Sequence, residues 1–567
     1  MPRAARNSNH VLLCLALAAL GASRASAQWA SIDEEALHDF VPFDVEVTPN
    51  GALTVVRACD LFYPATTGTD SVAVFDTSGN RRSMGPTCTN GWGGGNPSGA
   101  SDCLRVTNNR AILVGSTANT TYIDVLDIGA NPVGCKGRHV FGTQLDPKGD
   151  VGDVEITPDG ALAIVNRLNG IDVLDLDTGN ILATFQHTES AQFAADSIAT
   201  TNDYAVVLTR QSFQGESRMT WVYIISLNGT PALVSGSPFP LGSSSGDYRP
   251  HDVAITPNEQ LAVVSATNIV GVYALTAPVR AVGSVSVNGN RNYRVQADSL
   301  VVSNSRAVVI ATSNSLLNPG EAFIDVISID SELAPKVERS WAGDANYAHD
   351  LAIDEDGEIA VVSTKGHMVV LKQLSSMSGQ TGGSITSVPV VCLPNDEVGA
   401  WQRDSTTSWA SDSIEIVKRF VAQIPYGSNE NGVKHYAVMV GSDLSVPKRG
   451  TLSVVDLEDA SMVAIDTYVA DAVYKTLLVD VAVSGQQVLT RASAPPDEDG
   501  SIAPLFEDGR DWCTFSLDPV GLEKRWGGKG TVWALDSLSI KRGRSASVSE
   551  ELTDQGTLNS WVYHVWN

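Results

Sequence analysis

Apolar and polar positions alternate along most of this chain in short bursts separated by turn residues. The segment from Phe43 reads FDVEVTPNGALTVV, that from Gly152 GDVEITPDGALAIV, that from His251 HDVAITPNEQLAVV and that from His349 HDLAIDEDGEIAVV. Each holds an apolar run of period two, a turn, and a second such run. A period of two places every other side chain on one face of a strand. β-branched residues fill many of the apolar positions, so each segment predicts a tight antiparallel hairpin. A third run follows in most units: SVAVFDT at 71–77, YIDVLDI at 122–128, IDVLDLDTGN at 171–180, WVYIISL at 221–227, FIDVISI at 323–329 and LSVVDLE at 452–458. A weaker fourth run, such as ILATF at 181–185, often completes the set. Long helical periodicity is hard to find.

Weaker copies interleave with the strong ones: SDCLRVTNNRAILV from Ser101, ADSIATTNDYAVVL from Ala195, ADSLVVSNSRAVVI from Ala297, SDSIEIV from Ser411 and VDVAVSGQQVLT from Val479. A shared aspartate marks all of them, at Asp44, Asp102, Asp153, Asp196, Asp252, Asp298, Asp350, Asp412 and Asp480. These nine landmarks span 436 residues, a mean spacing of 54.5. Four short strands per unit, repeated many times without helices, predict a β-propeller. A β-solenoid is the rival, but its repeats are usually shorter and need no four-strand meander. The expectation is an all-β chain, a β-propeller of eight or nine four-stranded blades. Nine units exceed the usual upper range of about eight blades. Either the ring is unusually large or one unit is an appended sheet.

The Asp-Val-x-Val-(Ser/Thr)-Pro-(Asp/Asn)-Gly start and the Val-x-Val-x-Asp third strand resemble the YVTN/LVIVD-type propeller repeats of exported bacterial proteins. DVAVSG from Asp480 and IDVLDLDTGN from Ile171 match most closely. The resemblance covers roughly residues 40 to 540. It implies the fold and says little about function, because such propellers host enzymes, binding modules and scaffolds alike.

Strand order then predicts a face. With strands A to D counted outward from the channel, the shared Asp starts strand A, and the Thr-Pro-Asp-Gly turn sits at the opposite end. Connections D-to-A and B-to-C share the Asp face, here called the top. Most long insertions fall there: B-to-C at 57–70, 210–220 and 491–511, and D-to-A at 80–101, 239–250 and 375–411. Bottom turns are tight except at 417–434. Length variation on one face of a repeat array often marks a binding face, so any site is expected at the top, near the channel mouth.

Three kinds of residue stand out there. The ring aspartates, with Asp153, Asp252 and Asp350 as the metal candidates, could gather around Ca²⁺, a hard cation that takes clustered oxygens. They could equally accept backbone N–H bonds and fix each blade, which suits a feature present in every unit. Arg57, Arg167, Arg210, Lys365 and Arg491 follow strand B and would emerge beside the aspartates, as partners or as a clamp on a ligand carboxylate. His251 and His349 precede the Asp in the fifth and seventh units, with Arg249 and Tyr347 two residues earlier. If the protein is an enzyme, His251, His349 and Arg249 are its catalytic candidates as acid, base or charge stabiliser. Otherwise the imidazoles bridge loops in a polar ring.

Charge and cysteine content narrow the picture. The chain has 567 residues with Lys+Arg 38 against Asp+Glu 64, a formal charge of -26. A phosphate-binding groove would oppose that field, so nucleic acid is excluded as a partner. Residues 1–27 read as a secretory signal peptide: Arg3 and Arg6, an apolar run from Val11 to Leu20, then Ala25-Ser26-Ala27. That run is too short to span a bilayer, and no later stretch is long and apolar enough. Residues 28–567 would then form one propeller domain, secreted or periplasmic and monomeric, with closing C-terminal strands. Its six cysteines, Cys59, Cys88, Cys103, Cys135, Cys392 and Cys513, favour disulfides in an exported chain. Two bridges are expected within 59–135 and a third between Cys392 and Cys513; the connectivity stays open. GSSSG at 242–246 formally fits a nucleophile-elbow pattern but lies in a Gly/Ser connection without a strand-to-helix turn. The leading expectation is a non-enzymatic binding or scaffold propeller with a protein or glycan ligand. The alternative is a lactonase-like hydrolase or polysaccharide lyase, with Ca²⁺ as the cofactor to test.

Overall fold

The structure, a computed structural model, describes the strands between Phe40 and Trp566 with many of the short turns that join them. Residues 1–39 and most long connections lie outside the described residues, and side chains are described mainly between 46 and 457. The proposed leader and its cleavage site are therefore outside them.

The described strands form ten antiparallel sheets, each built from consecutive segments of chain. The innermost strands are Phe40–Val47, Leu104–Val106, Val151–Ile156, Ile198–Thr200, Pro250–Ile255, Leu300–Val302, Ala348–Ile353, Ile414–Phe420, Leu477–Ser484 and Leu538–Lys541, and they number the blades one to ten. Each inner strand approaches the next, and Leu538–Lys541 returns to Phe40–Val47, so the succession closes into a ring. This is a β-propeller. Among the described residues no α-helix occurs, and a single 3-10 turn spans Leu374–Ser376.

Nine sheets correspond to the nine sequence units, so the expectation of eight or nine blades falls short of the ten sheets observed. The tenth has three strands, Leu538–Lys541, Arg544–Leu552 and Leu558–Trp566. It begins with Asp536-Ser-Leu-Ser-Ile, the Asp-Ser-(Leu/Ile) start of the weaker units, 56 residues after Asp480, a copy that the count of nine units passes over. A second correction concerns 375–411. Ser384–Pro389 forms the outer strand of blade seven, so 373–383 is a bottom connection and only 390–413 runs to the next blade.

The core is a series of layers between consecutive blades. Ile112, Val114, Ile123 and Val125 of blade two pack on Val154, Ala163, Val165 and Leu174 of blade three. Ala111, Leu113 and Leu126, one residue out of phase with that set, pack on Val55, Val72 and Val74 of blade one. The same arrangement joins blades three and four, four and five, five and six, six and seven, and seven and eight. Period two is the cause: each strand sends alternate side chains to its two neighbours. A Val, Ile or Leu buried this completely contributes about 1.5–3 kcal/mol.

The bottom turns are stitched as well. Thr48 Oγ1 donates to Asn50 Oδ1 (2.8 Å) and accepts the Leu53 N–H (3.0 Å). Thr157 repeats this with Asp159 and Leu162, and Thr256 with Asn258 and Leu261. The third turn residue then donates its own N–H to the next blade: Asn50 to Asn108, Asp159 to Asn202 and Asn258 to Asn304, each at 2.9 Å. The alternation of strong and weak sequence units is thus an alternation of donor and acceptor turns.

Candidate functional site

The head of strand A is irregular in a regular way. In blades one, three, five, seven and nine the pairing of strands A and B slips by one residue just before the shared Asp. The extra residues are Phe43, Gly152, His251, His349 and Val479. A bulge opposes two residues to one and re-aims the extra side chain. Both histidines singled out in the sequence therefore occupy the same bulge position, in blades five and seven, with the inner strand of blade six between their strands. His251 is half-buried and engaged with its surroundings. The side chain of His349 and all of Arg249 and Tyr347 lie outside the described residues.

Two of the three candidate metal aspartates are fastened to the following blade. Asp153 is buried, and its Oδ2 accepts the Ser197 N–H (2.7 Å) and hydroxyl (3.2 Å) at the head of blade four. Asp252 Oδ2 accepts the N–H groups of Ser299 (3.1 Å) and Leu300 (3.0 Å) at the head of blade six. A carboxylate accepting N–H bonds in a buried site is held strongly, because the acceptor is charged. This is the blade-fixing geometry. The Asp350 side chain is outside the described set.

The basic residues divide. Arg167 is buried and pairs through Nε with Asp172, a residue of its own blade. Arg57 stands directly opposite Asp44 in strand register, and Arg491 directly opposite Asp480. Arg210 stands opposite Thr220 and Gln192. Lys365 lies outside the described residues.

A second set of aspartates went unassigned in the sequence. Asp124, Asp172 and Asp325 each sit in an Ile-Asp-Val of strand C and are buried. Each binds the residue directly opposite on strand D: Arg138 with both carboxylate oxygens at 2.5 Å, Thr184 at 2.6 Å and Ser340 at 2.5 Å. Arg138 also lies 4.6 Å over the Tyr122 ring. The repeated Ile-Asp-Val was the available signal. At the top end of blade three, His187 joins this group, edge-on to Tyr223 of blade four with ring centroids 5.2 Å apart. Burial, foremost, lowers its pKa to about 4.

A cleft of about 650 Å³ lies on the other face, at the bottom of blades one to three. Arg105 reaches Glu46 and Glu155 there, at 3.6 Å each, linking three inner strands. Arg110 binds Asp127 (3.0 Å) and Asp177 (3.1 Å) at the rim. Four acidic residues, Glu46, Glu155, Asp159 and Asp177, line the cleft against Arg105 and Arg110. Elsewhere, Cys135 in the outer strand of blade two is disulfide-bonded.

No protein-family model matches the chain, and no curated protein matches it. Among solved structures, the β-propeller domain of Myceliophteria thermophila Cps50 (Swd1) aligns at 8% identity over 63% of this chain and 96% of its own, with a TM-score of 0.31. Kluyveromyces lactis Hsv2p aligns at 11% identity over 67% and 98%, with a TM-score of 0.31. Dihydro-heme d1 dehydrogenase NirN in complex with DHE aligns at 12% identity over 78% and 74%, with a TM-score of 0.34. At these values the propeller assignment stands on the sheet order of this chain itself.

Proposed function

We propose that the chain is an exported, non-enzymatic β-propeller that binds a protein or glycan through its top-face connections. The observation that carries this reading is the use of the ring itself. Asp153 and Asp252 fasten their blades to the following ones, and Arg167 is paired with Asp172 inside blade three. Variation in length is instead found in the connections above them. Strand ends leave 61–69, 87–103, 390–400 and 494–511 for that face, whereas several bottom turns close in two or three residues, as at 107–109 and 485–486. Rigid rings with variable loops on one face present large surfaces for recognition. Export to the periplasm or medium follows from the leader, and three disulfides, two within 59–135 and one joining Cys392 to Cys513, would brace the longest connections.

The alternative is a hydrolase or lyase, possible Ca²⁺ included, and one observation favours it: the twin bulge positions of His251 and His349 in alternate blades. The test uses the mature protein on a glycan array and in cross-linked pull-downs, beside a chain with 494–511 replaced by a short Gly-Ser linker. A ligand held by the parent and lost by the loop variant supports the binding reading. Turnover of a lactone or acidic polysaccharide that falls at least about 100-fold in both His251→Ala and His349→Ala overturns it in favour of the enzyme.

A further inference from the structure

The seventh blade breaks the stitching rule of the bottom turns, and the break has the chemistry of a metal site. Blades one, three and five place Thr48, Thr157 and Thr256 at the first position of the turn. Blade seven places Asp354 there, with Asp356 at the position of Asn50, Asp159 and Asn258. Asp354 Oδ1 does the work of the threonine hydroxyl, accepting the N–H groups of Glu358 (2.8 Å) and Ile359 (2.9 Å). That leaves an oxygen the threonine never had. Asp354 is 5% exposed, and its Oδ2 is buried without a hydrogen-bond partner. It points at Nε2 of His435, on the second strand of blade eight, 3.5 Å away. One donor atom each from Asp354, Asp356 and His435 lies within 4.8 Å of the others.

The distances discriminate. An N–H···O bond spans about 2.7–3.2 Å, so 3.5 Å is long for one. Two ligands on one tetrahedral ion with bonds of about 2.1 Å sit about 3.4 Å apart, which the Asp354–His435 separation matches. Asp356 is exposed at the rim of the group, with a carboxylate oxygen already within 4.8 Å of the other two donor atoms. Two carboxylates and a neutral imidazole balance a divalent charge. An imidazole in the set selects a transition ion over Ca²⁺ or Mg²⁺, which take oxygens alone.

The geometry points to a divalent transition-metal site, of the Zn²⁺ class, formed by Asp354, Asp356 and His435 across the bottom of blades seven and eight. Water would complete the coordination. The ion stands where the earlier blades use an asparagine amide, and it staples blade seven to blade eight. It belongs to the face opposite the proposed binding loops and does not depend on that reading.

The experiment is metal analysis of the full mature chain, stripped with EDTA and titrated with Zn²⁺ against a chromogenic chelator, with thermal melts in parallel. The expected result is a melting temperature that climbs with the logarithm of Zn²⁺ concentration, because the ion binds only the folded ring. Asp356→Asn and His435→Gln should each weaken Zn²⁺ by at least about tenfold and flatten that climb. Asp356 is exposed, so Asp356→Asn should keep the metal-free melting temperature of the parent and remain a folded control. Unchanged Zn²⁺ affinity in folded Asp356→Asn and His435→Gln overturns the proposal, and so does a parent chain that takes up no Zn²⁺. Equal stabilisation of parent and variants by Ca²⁺, without a Zn²⁺ effect, overturns it too and returns attention to the ring aspartates.

Discussion

His187 shows how much one residue depends on its neighbour blade. It ends the outer strand of blade three and is buried against Tyr223. Burial lowers its pKa from 6.5 to about 4; a backbone hydrogen bond at Arg167 and the Asp172 charge pull the other way, and the Arg167 charge adds to the lowering. The folded chain therefore keeps this imidazole neutral where the unfolded chain protonates it. As pH falls through 6.5 toward 4, the unfolded state binds the extra proton and gains, so folding weakens over that window. The group's share of stability, full above the unfolded pKa, has dropped by about 2–3 kcal/mol at pH 4.5. Urea melts at pH 7 and 4.5 should show a stability loss smaller by about that amount in His187→Phe than in the parent. An equal loss in both would mean the imidazole is hydrated in solution. Nothing in the local sequence QHTES announces this behaviour, because the desolvating wall comes from the next unit. The shared aspartates are the reverse case: their repetition was legible, and only the donors at Ser197 and Ser299 had to be found in space.

At the scale of one turn, the Asp-Thr-Gly-Asn break after strand C of blade three does two things. Asp175 Oδ1 accepts the N–H groups of Asp177 (2.8 Å) and Thr178 (3.0 Å), which folds the chain back within the blade. Gly179 then takes φ +73°, and a Cβ there would lie 2.7 Å from the carbonyl carbon of Lys136 in blade two. Its carbonyl also bonds His139 Nε2 at 2.7 Å. Gly179→Ala must bear the left-handed penalty of about 1–2 kcal/mol and also push one blade's backbone off another's. We expect a total of about 2–4 kcal/mol. Gly229 is the control: φ is +78° with nothing within 4 Å, so Gly229→Ala should cost only about 1 kcal/mol. Urea melts of the two variants test the difference, and equal losses would show that blades two and three yield at that contact. The sequence announces the turn through its residue types. It does not announce the close approach, which depends on how tightly two sheets meet.

For the whole molecule, closure is the feature that matters. The tenth sheet fills the place between blades nine and one: Leu538–Lys541 lies against both inner strands, and Arg544–Leu552 lies against Phe40–Val47. Among the described residues, blades two to seven bury both faces in this way. Deleting 538–566 would leave one face of blade one and one of blade nine in water, together with open strand edges. The truncated chain is expected to lose its single cooperative melt and to elute in light-scattering chromatography well above the mass of one chain. A monomeric truncation with an unchanged melt would mean that nine repeat units close without the last sheet.

The alternating pattern by itself determined the strand class, the four-strand unit, the nine repeats and the order of strands within each blade. Those properties follow from period-two patterning and turn chemistry, which act over a few residues and are written locally. The sequence also marked the shared aspartates and the two bulge histidines as repeated positions, since repetition makes a position conspicuous. The tertiary structure decided what is not local. It set the number of sheets, because the last sheet closes the ring with three strands behind a weak copy of the repeat start at Asp536. It set the partners of the buried charges, because Asp153 bonds a serine 44 residues away and Arg167 pairs with Asp172 on the neighbouring strand. It alone brought Asp354 and Asp356 to His435, because their meeting depends on the packing of two whole blades and on no spacing along the chain.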